Sequence, residues 1–289
     1  MIKNSFANDV RGHLLLVTIC CFLACSLLTA GLVSSGVLNI SDLGELTATA
    51  GGRQRLRFVL LLSNLIPFAG TALLALAVVY RRHWAWGAGL DRGPEPYMLM
   101  YSTAFFVVSL PFVSWLAYLN LQVPLPEWAV ASEENTDLLL GGILNMTSVA
   151  EFLLAFVTAA VVPAIGEELL LRGVVQRRII REFVGNAHLA IWITAVLFST
   201  MHVEFAGFAP RLLLGVILGY AYYWSRSLWV PIGLHLAFNG MQVIVAYVTG
   251  EFDPNAELTD TPAWWMGVLS LGLMGLVWWK AQVLSQSQE

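Results

Sequence analysis

Eight apolar runs, near 14–36, 58–80, 97–119, 149–180, 188–205, 208–225, 228–249 and 262–282, follow one another through the 289 residues with short connections between them. A helix needs ~20 apolar residues to cross a bilayer, and hydrocarbon satisfies no backbone N–H or C=O, so each run must bond internally. The pattern predicts an all-α fold, a polytopic membrane protein of about eight transmembrane helices forming a single membrane domain over 1–289. Composition agrees, since 58% of residues are hydrophobic and 12% charged, against ~25% charged in an ordinary soluble domain. The formal net charge of -4 lacks the basic face that a nucleic-acid partner requires, so membrane lipid is the expected surrounding and no nucleic acid is expected. Lys3 and Arg11 precede the first run in the manner of a signal peptide. That run is too long for a signal core and more spans follow, so it reads as an uncleaved first helix. Cys20, Cys21 and Cys25 all fall in this run and read as buried small hydrophobes rather than a disulfide or metal framework.

The linkers separate by charge. Arg81, Arg82 and Arg92 follow segment two, Arg177, Arg178 and Arg181 end segment four, and Arg226 sits between six and seven. Acidic residues fill the loops before segment four (Glu127, Glu133, Glu134, Asp137) and before segment eight (Glu251, Asp253, Glu257, Asp260). The positive-inside rule then places the arginine loops and both termini in the cytoplasm, in what reads as a prokaryotic inner or plasma membrane. Arg53, Arg55 and Arg57 fall on the opposite side and are expected at an interface or paired with Asp42 and Glu45. The loop from about Asn120 to Thr147 is expected to hold an interfacial helix. Trp84, Trp86, Tyr223, Trp224 and Trp229 read as an aromatic belt at span ends. Gly215-Val-Ile-Leu-Gly219 reads as a small-residue face for helix packing within the molecule.

Against this background the polar groups inside apolar runs ask for a reason. Segment four contains Glu167, Glu168 and Arg172. Glu168 and Arg172 are four apart and face each other on a helix, whereas Glu167 points ~100° away and lacks a local partner. Among the five histidines, His13, His83 and His188 lie at predicted boundaries, while His202 and His235 lie within apolar segments, the latter four residues before Asn239. At ~1.5 Å per residue, Glu167 lies ~20 Å from the end of segment four and His202 ~21 Å from His188. By the same rise His235 and Asn239 lie ~14 and ~20 Å from Arg226. All four residues fit one layer if segments four, five and seven are neighbours.

Such a layer has definite chemical options. A carboxylate with an imidazole deprotonates a water, and an imidazole with an amide stabilises the oxyanion formed when that water attacks a carbonyl. The same Glu167, His202 and His235 would serve as three ligands of a catalytic zinc. The chain has neither HExxH nor GxSxG, and activation of water without any cofactor is the preferred reading. A different class, a proton-coupled transporter, also uses intramembrane Glu and His. It is disfavoured because the polar groups concentrate in segments four to seven without a repeat. A third reading is a catalytically inactive membrane scaffold or immunity protein.

The three ordered motifs, Glu167-Glu168-x-x-x-Arg172, Phe198-x-x-x-His202 and His235-x-x-x-Asn239, resemble those of the CPBP family of CAAX proteases and bacteriocin-processing enzymes, also called Abi-type membrane proteases. The resemblance covers about 149–245, a catalytic core in the second half of the chain. It implies an intramembrane endopeptidase, similar to type II CAAX prenyl endopeptidases, cutting a lipidated or membrane-anchored peptide or protein in a polar cavity reached from the cytoplasmic side. By motif position, Glu167 and His202 would activate water and His235 with Asn239 would stabilise the oxyanion. Glu168, Arg172 and Phe198 would support the site. Family members have been described both as metalloproteases and as glutamate-dependent proteases.

Overall fold

The computed structural model describes residues 2–34, 43–250 and 262–286, and among these every regular element is a helix. In chain order the helices are α1 (Ile2–Ser34), α2 (Leu43–Ala48), α3 (Ala50–Asn64), α4 (Thr71–Tyr80), α5 (Trp84–Ala88), α6 (Pro96–Leu121) and α7 (Glu127–Leu144). They continue as α8 (Val149–Phe156), α9 (Val162–Glu168), α10 (Arg181–Val184), α11 (Ala187–Thr200), α12 (Phe208–Ser225), α13 (Trp229–Thr249) and α14 (Trp264–Gln286). Wider π-turns at Leu65–Gly70, Val157–Val161 and Leu169–Ile180 join α3 to α4, α8 to α9 and α9 to α10 without a break. Two continuous rods result, and both carry a proline within or beside a widened stretch, Pro67 in one and Pro163 in the other. A proline gives no N–H to the helix ladder, so the turns around it must redistribute their bonds.

Each of the eight apolar runs carries a helix among its described residues. Six helices among the described residues are long and apolar enough to cross a membrane: Gly12–Ser34, Ala50–Ala88, Pro96–Leu121, Val149–Val184, Trp229–Thr249 and Trp264–Gln286. The exposed faces of these helices are rich in Leu, Val, Trp and Met, as on α1, where Leu16, Leu23 and Leu27 stand out from the bundle. In water such a surface would be a liability, and in lipid it is the solvated face. The chain is therefore an integral membrane protein. Segment five departs from expectation. Its helix, α11, has 14 residues and stops at Thr200, so His202 lies in a turn beyond the helix end rather than within a span.

Two apolar cores flank the rod formed by residues 149–184. One gathers α6, α11, α12 and α14 around Phe105, Ile217 and Trp224. The other gathers α1, α4, α5 and the wide turn after α9 around Leu14, Leu76 and Leu170. The small-residue face of α12 lies inside the molecule. A Cβ at Gly215 would stand 3.1 Å from Ala195 Cα, and one at Gly219 2.8 Å from Ile191 Cγ2, so both glycines admit α11 at close range. Trp224 is buried and donates from Nε1 to Gln282 Oε1 at 3.1 Å, so it belongs to the core and not to an interfacial belt. Of the cysteines only Cys25 is buried, and Cys20 faces outward.

The arginines of α3 also differ from expectation. Asp42 lies outside the described residues, as does the acidic stretch Glu251 to Asp260, and the side chain of Glu45 is likewise not described. Arg53 and Arg57 instead converge on buried Glu151 at the start of α8, with N–O distances of 3.1 and 3.3 Å. Arg57 also donates to Ile143 O at 2.9 Å and Asn145 O at 2.6 Å, while Thr147 N donates to the Glu151 carboxylate at 2.7 Å. A carboxylate 98 residues away thus neutralises charges that local sequence could not pair. Arg55 is exposed.

In the loop expected to hold an interfacial helix the structure has a helix, α7. Its side chains close over the turn that follows α11, and that turn holds His202.

Candidate active site

The rod of residues 149–184 positions the first motif. Glu168 is fully buried and occupied at both oxygens: Oε2 faces Arg172 Nε at 3.1 Å, and Oε1 accepts from His235 Nδ1 at 2.9 Å. Arg172, equally buried, donates from Nη2 to Gly215 O at 3.1 Å, and its guanidinium lies 5.0 Å from the centre of the Phe198 ring. One turn further, Gln176 Nε2 donates to Gly219 O at 3.1 Å. The two glycines of α12 bring their carbonyls within reach of this polar stripe, because no side chain holds the helices apart. The Glu168 and Arg172 pair expected from their spacing is present, and His235 is a third member that spacing did not disclose.

Glu167 faces elsewhere. Its Oε1 accepts from Asn64 Nδ2 at 3.0 Å, and its Oε2 is buried with no hydrogen-bond partner. Asn64 ends α3, immediately before the π-turn containing Pro67. Sequence reasoning missed it. The available signal was a lone amide inside segment two, the same signal that drew attention to Asn239.

The protonation of both site histidines follows from their partners. A carbonyl only accepts, so Asn239, whose Nδ2 lies 3.1 Å from Ala159 O, presents its NH2 group there. The same NH2 lies 3.2 Å from His235 Nε2, which must therefore accept, leaving the proton on Nδ1 to donate to Glu168. Ala159 O is available because Pro163, four residues on, has no N–H to give it. His202 is fixed by the same logic: Nδ1 lies 2.8 Å from Phe198 O, so Nδ1 carries the proton and Nε2 keeps its lone pair. The Phe198 ring stands edge-on to both imidazoles, with centroids 5.0 Å from His202 and 6.0 Å from His235. Glu167 acts electrostatically on His202, together with Arg211 and Glu204.

The turn holding His202 is tied from outside. Asn120, at the end of α6, donates to Phe205 O and Ala206 O at 2.8 Å each and accepts from Ala209 N at 3.0 Å. From α7, Glu133 Oε1 accepts from Phe205 N at 2.6 Å and Ser132 Oγ donates to Val203 O at 3.3 Å. Trp128 packs edge-on against Phe205. Within the turn Val203 has φ 54°, left-handed backbone that is costly for a β-branched residue and is kept only where surroundings impose it.

As the side chains stand, Glu167, His202 and His235 do not form a three-ligand set. Both His235 nitrogens are engaged, and among the described residues no group of three His, Cys, Asp or Glu side chains is gathered as a metal needs.

Residues 149–241 match the family model for type II CAAX prenyl endopeptidase Rce1-like proteins. No curated protein and no solved structure matches the chain. The matched segment contains all three motifs and every residue of the polar layer except Asn64. The match over these residues supports the CPBP family of CAAX proteases and, in general terms, a membrane peptidase acting on a peptide or protein.

Proposed function

We propose that this protein hydrolyses a peptide bond of a lipidated or membrane-anchored substrate with a water activated by Glu167 and His202, without a metal. The observation that carries the reading is the asymmetry of Glu167. One oxygen is held by Asn64 and the other is buried without a partner, the condition in which a carboxylate is poised to take a proton from water. His202 supports it by offering a free Nε2 lone pair. The water oxygen adds to the scissile carbonyl carbon as its proton passes to Glu167. The resulting oxyanion is met by the Asn239 amide, turned from His235 Nε2, and by that nitrogen once it has taken a proton from solvent water, which it returns when the oxyanion collapses. Collapse breaks the C–N bond, and the proton taken from water goes to the leaving amine. Glu168 holds His235 by Nδ1 and is itself held by Arg172, so those two act by positioning.

The test is cleavage of a membrane-anchored reporter peptide by the purified protein in detergent. Glu167→Gln, His202→Ala and His235→Ala are each expected to lower the rate by about 10²–10⁴, the usual contribution of a positioned acid or base. Folded variants that cleave at the wild-type rate would remove the proposed roles. Activity should also survive a strong chelator, whereas loss on chelation with recovery by zinc overturns the metal-free reading.

A further inference from the structure

Several buried polar atoms among the described residues make no hydrogen bond, and the charged ones on Glu168, Arg172, Glu151 and Arg57 belong to ion pairs. Glu168 Oε2 faces Arg172 Nε at 3.1 Å, and Glu151 Oε1 faces Arg57 Nη1 at 3.3 Å. Asn64 Oδ1 and Glu167 Oε2 differ. Both are buried without a hydrogen-bond partner, and they belong to two side chains already bonded to each other, Asn64 Nδ2 to Glu167 Oε1 at 3.0 Å. A carboxylate only accepts, so the NH2 group of Asn64 faces Glu167 and the amide oxygen is left with no donor. A buried acceptor left unpaired is costly, and here two stand on one bonded pair.

Packing puts the amide there. Asn64 ends α3, and the π-turn Leu65–Gly70 begins at the next residue. That turn lies against the 149–184 rod at Gly166, where a Cβ would stand 3.3 Å from Ala69 N and from Phe68 Cβ and 3.5 Å from Asn64 Oδ1. Glycine beside Glu167 therefore lets the two rods approach and puts no side chain over the amide oxygen. Asn64 lies outside residues 149–241, so the first rod supplies a polar group that the matched segment does not carry. Hydrolysis of a peptide bond brings two donors to such a pair. Water is one, and it goes to Glu167 Oε2. The N–H of the leaving residue is the other.

We propose that Asn64 Oδ1 accepts a hydrogen bond from the scissile N–H, which makes Asn64 a substrate-binding residue that selects an N–H on the leaving side. The inference rests on the role given to Glu167 above. One amide then bridges base and leaving group: Nδ2 holds Glu167 Oε1, and Oδ1 holds the nitrogen that must receive the proton. When the C–N bond breaks, its electron pair stays on nitrogen and takes the proton that Glu167 removed from water. The nitrogen keeps its original hydrogen on Oδ1 and leaves as a primary amine, while the acyl carbon keeps the water oxygen as a carboxylic acid. A leaving residue without N–H, such as proline, would leave Oδ1 unpaired and be disfavoured.

The experiment compares the membrane-anchored reporter peptide with a depsipeptide twin in which oxygen replaces the scissile N–H, using the full chain in dodecyl maltoside. Esters and amides differ in intrinsic reactivity, so the quantity read is the change in the amide-to-ester ratio of kcat/KM between wild type and variant. Misplacement of Glu167 slows both substrates and cancels in that ratio, whereas loss of Oδ1 slows the peptide alone. Asn64→Leu should lower the ratio by about threefold or more, and Asn64→Ala, which adds no bulk between the rods, should do the same. A ratio unchanged in both variants overturns the proposal even if both cleave slowly. Glu167→Gln separates the two readings. If it cleaves the peptide slowly while the Asn64 ratios do not move, Glu167 keeps its role and Asn64 loses this one. If it cleaves at the wild-type rate, both are overturned.

Discussion

Two adjacent glutamates illustrate how far one helical step separates roles. Glu168 is ion-paired with Arg172 at Oε2 and accepts from His235 at Oε1, whereas Glu167 has one oxygen on Asn64 and one without a hydrogen-bond partner. Substitutions should divide accordingly. Glu168→Gln and Arg172→Ala each leave a buried charge without its partner and should cost about 3–5 kcal/mol of stability, read as a large loss of Tm in detergent. A fall in activity with Tm unchanged would contradict that structural role. Asn64→Leu should act in the opposite sense, lowering cleavage about tenfold through misplacement of Glu167 while Tm changes little. If Asn64→Leu cleaves normally, the bond to Glu167 Oε1 does no positioning. Spacing alone made the Glu168 and Arg172 pair legible, because both lie on one helix. Asn64 was not legible, because it reaches Glu167 across 103 positions of sequence.

At the level of elements, the turn after α11 depends on neighbours from both sides. Asn120 of α6 and Glu133 of α7 hold its backbone, and the strained Val203 sits one residue after His202. Val203→Gly should relieve the left-handed strain and raise stability by about 1 kcal/mol, because the side chain is mostly exposed and packs little. Glu133→Ala should leave the fold intact and reduce cleavage about tenfold to a hundredfold by letting the His202 turn shift. Normal kinetics for Glu133→Ala would show that the turn holds itself. The close approach of α11 and α12 is tested by Gly219→Ala. Its Cβ would meet Ile191 Cγ2 at 2.8 Å and Gln176 Oε1 at 3.0 Å, and the overpacking should cost about 1–3 kcal/mol on melting. The sequence marked this glycine pair as an internal packing face. It misjudged α11, reading apolar character through to residue 205 where the helix stops at Thr200, because apolar residues in a turn look like apolar residues in a helix.

Across the whole molecule, two sets of buried or half-buried arginines serve different ends. Arg53 and Arg57 close the corner between α3, α7 and α8 through Glu151, while Arg177 borders a cavity near the other end of the 149–184 rod, which Glu151 begins. Between them lies the Glu167 layer, flanked by the two apolar cores that keep the rods in register. Glu151→Gln should therefore destabilise the protein about as much as Glu168→Gln, although it lies far from the reacting groups. Cleavage per folded molecule should stay near normal, as an assay normalised to monodisperse protein would show.

By itself the sequence determined the membrane class, the helical runs, the arginine-rich and acidic linkers and the three polar motifs. Each of these is a local property of composition or of helical spacing, and hydrocarbon forces apolar runs of span length to be helical. Only the tertiary structure decided which carboxylate is occupied at both oxygens, which protons the histidines carry and which distant side chains enter the layer. Those outcomes rest on hydrogen bonds between helices far apart in sequence, such as Asn64 to Glu167, His235 to Glu168 and Asn239 to Ala159 O. No periodicity in one helix encodes which neighbour will face it.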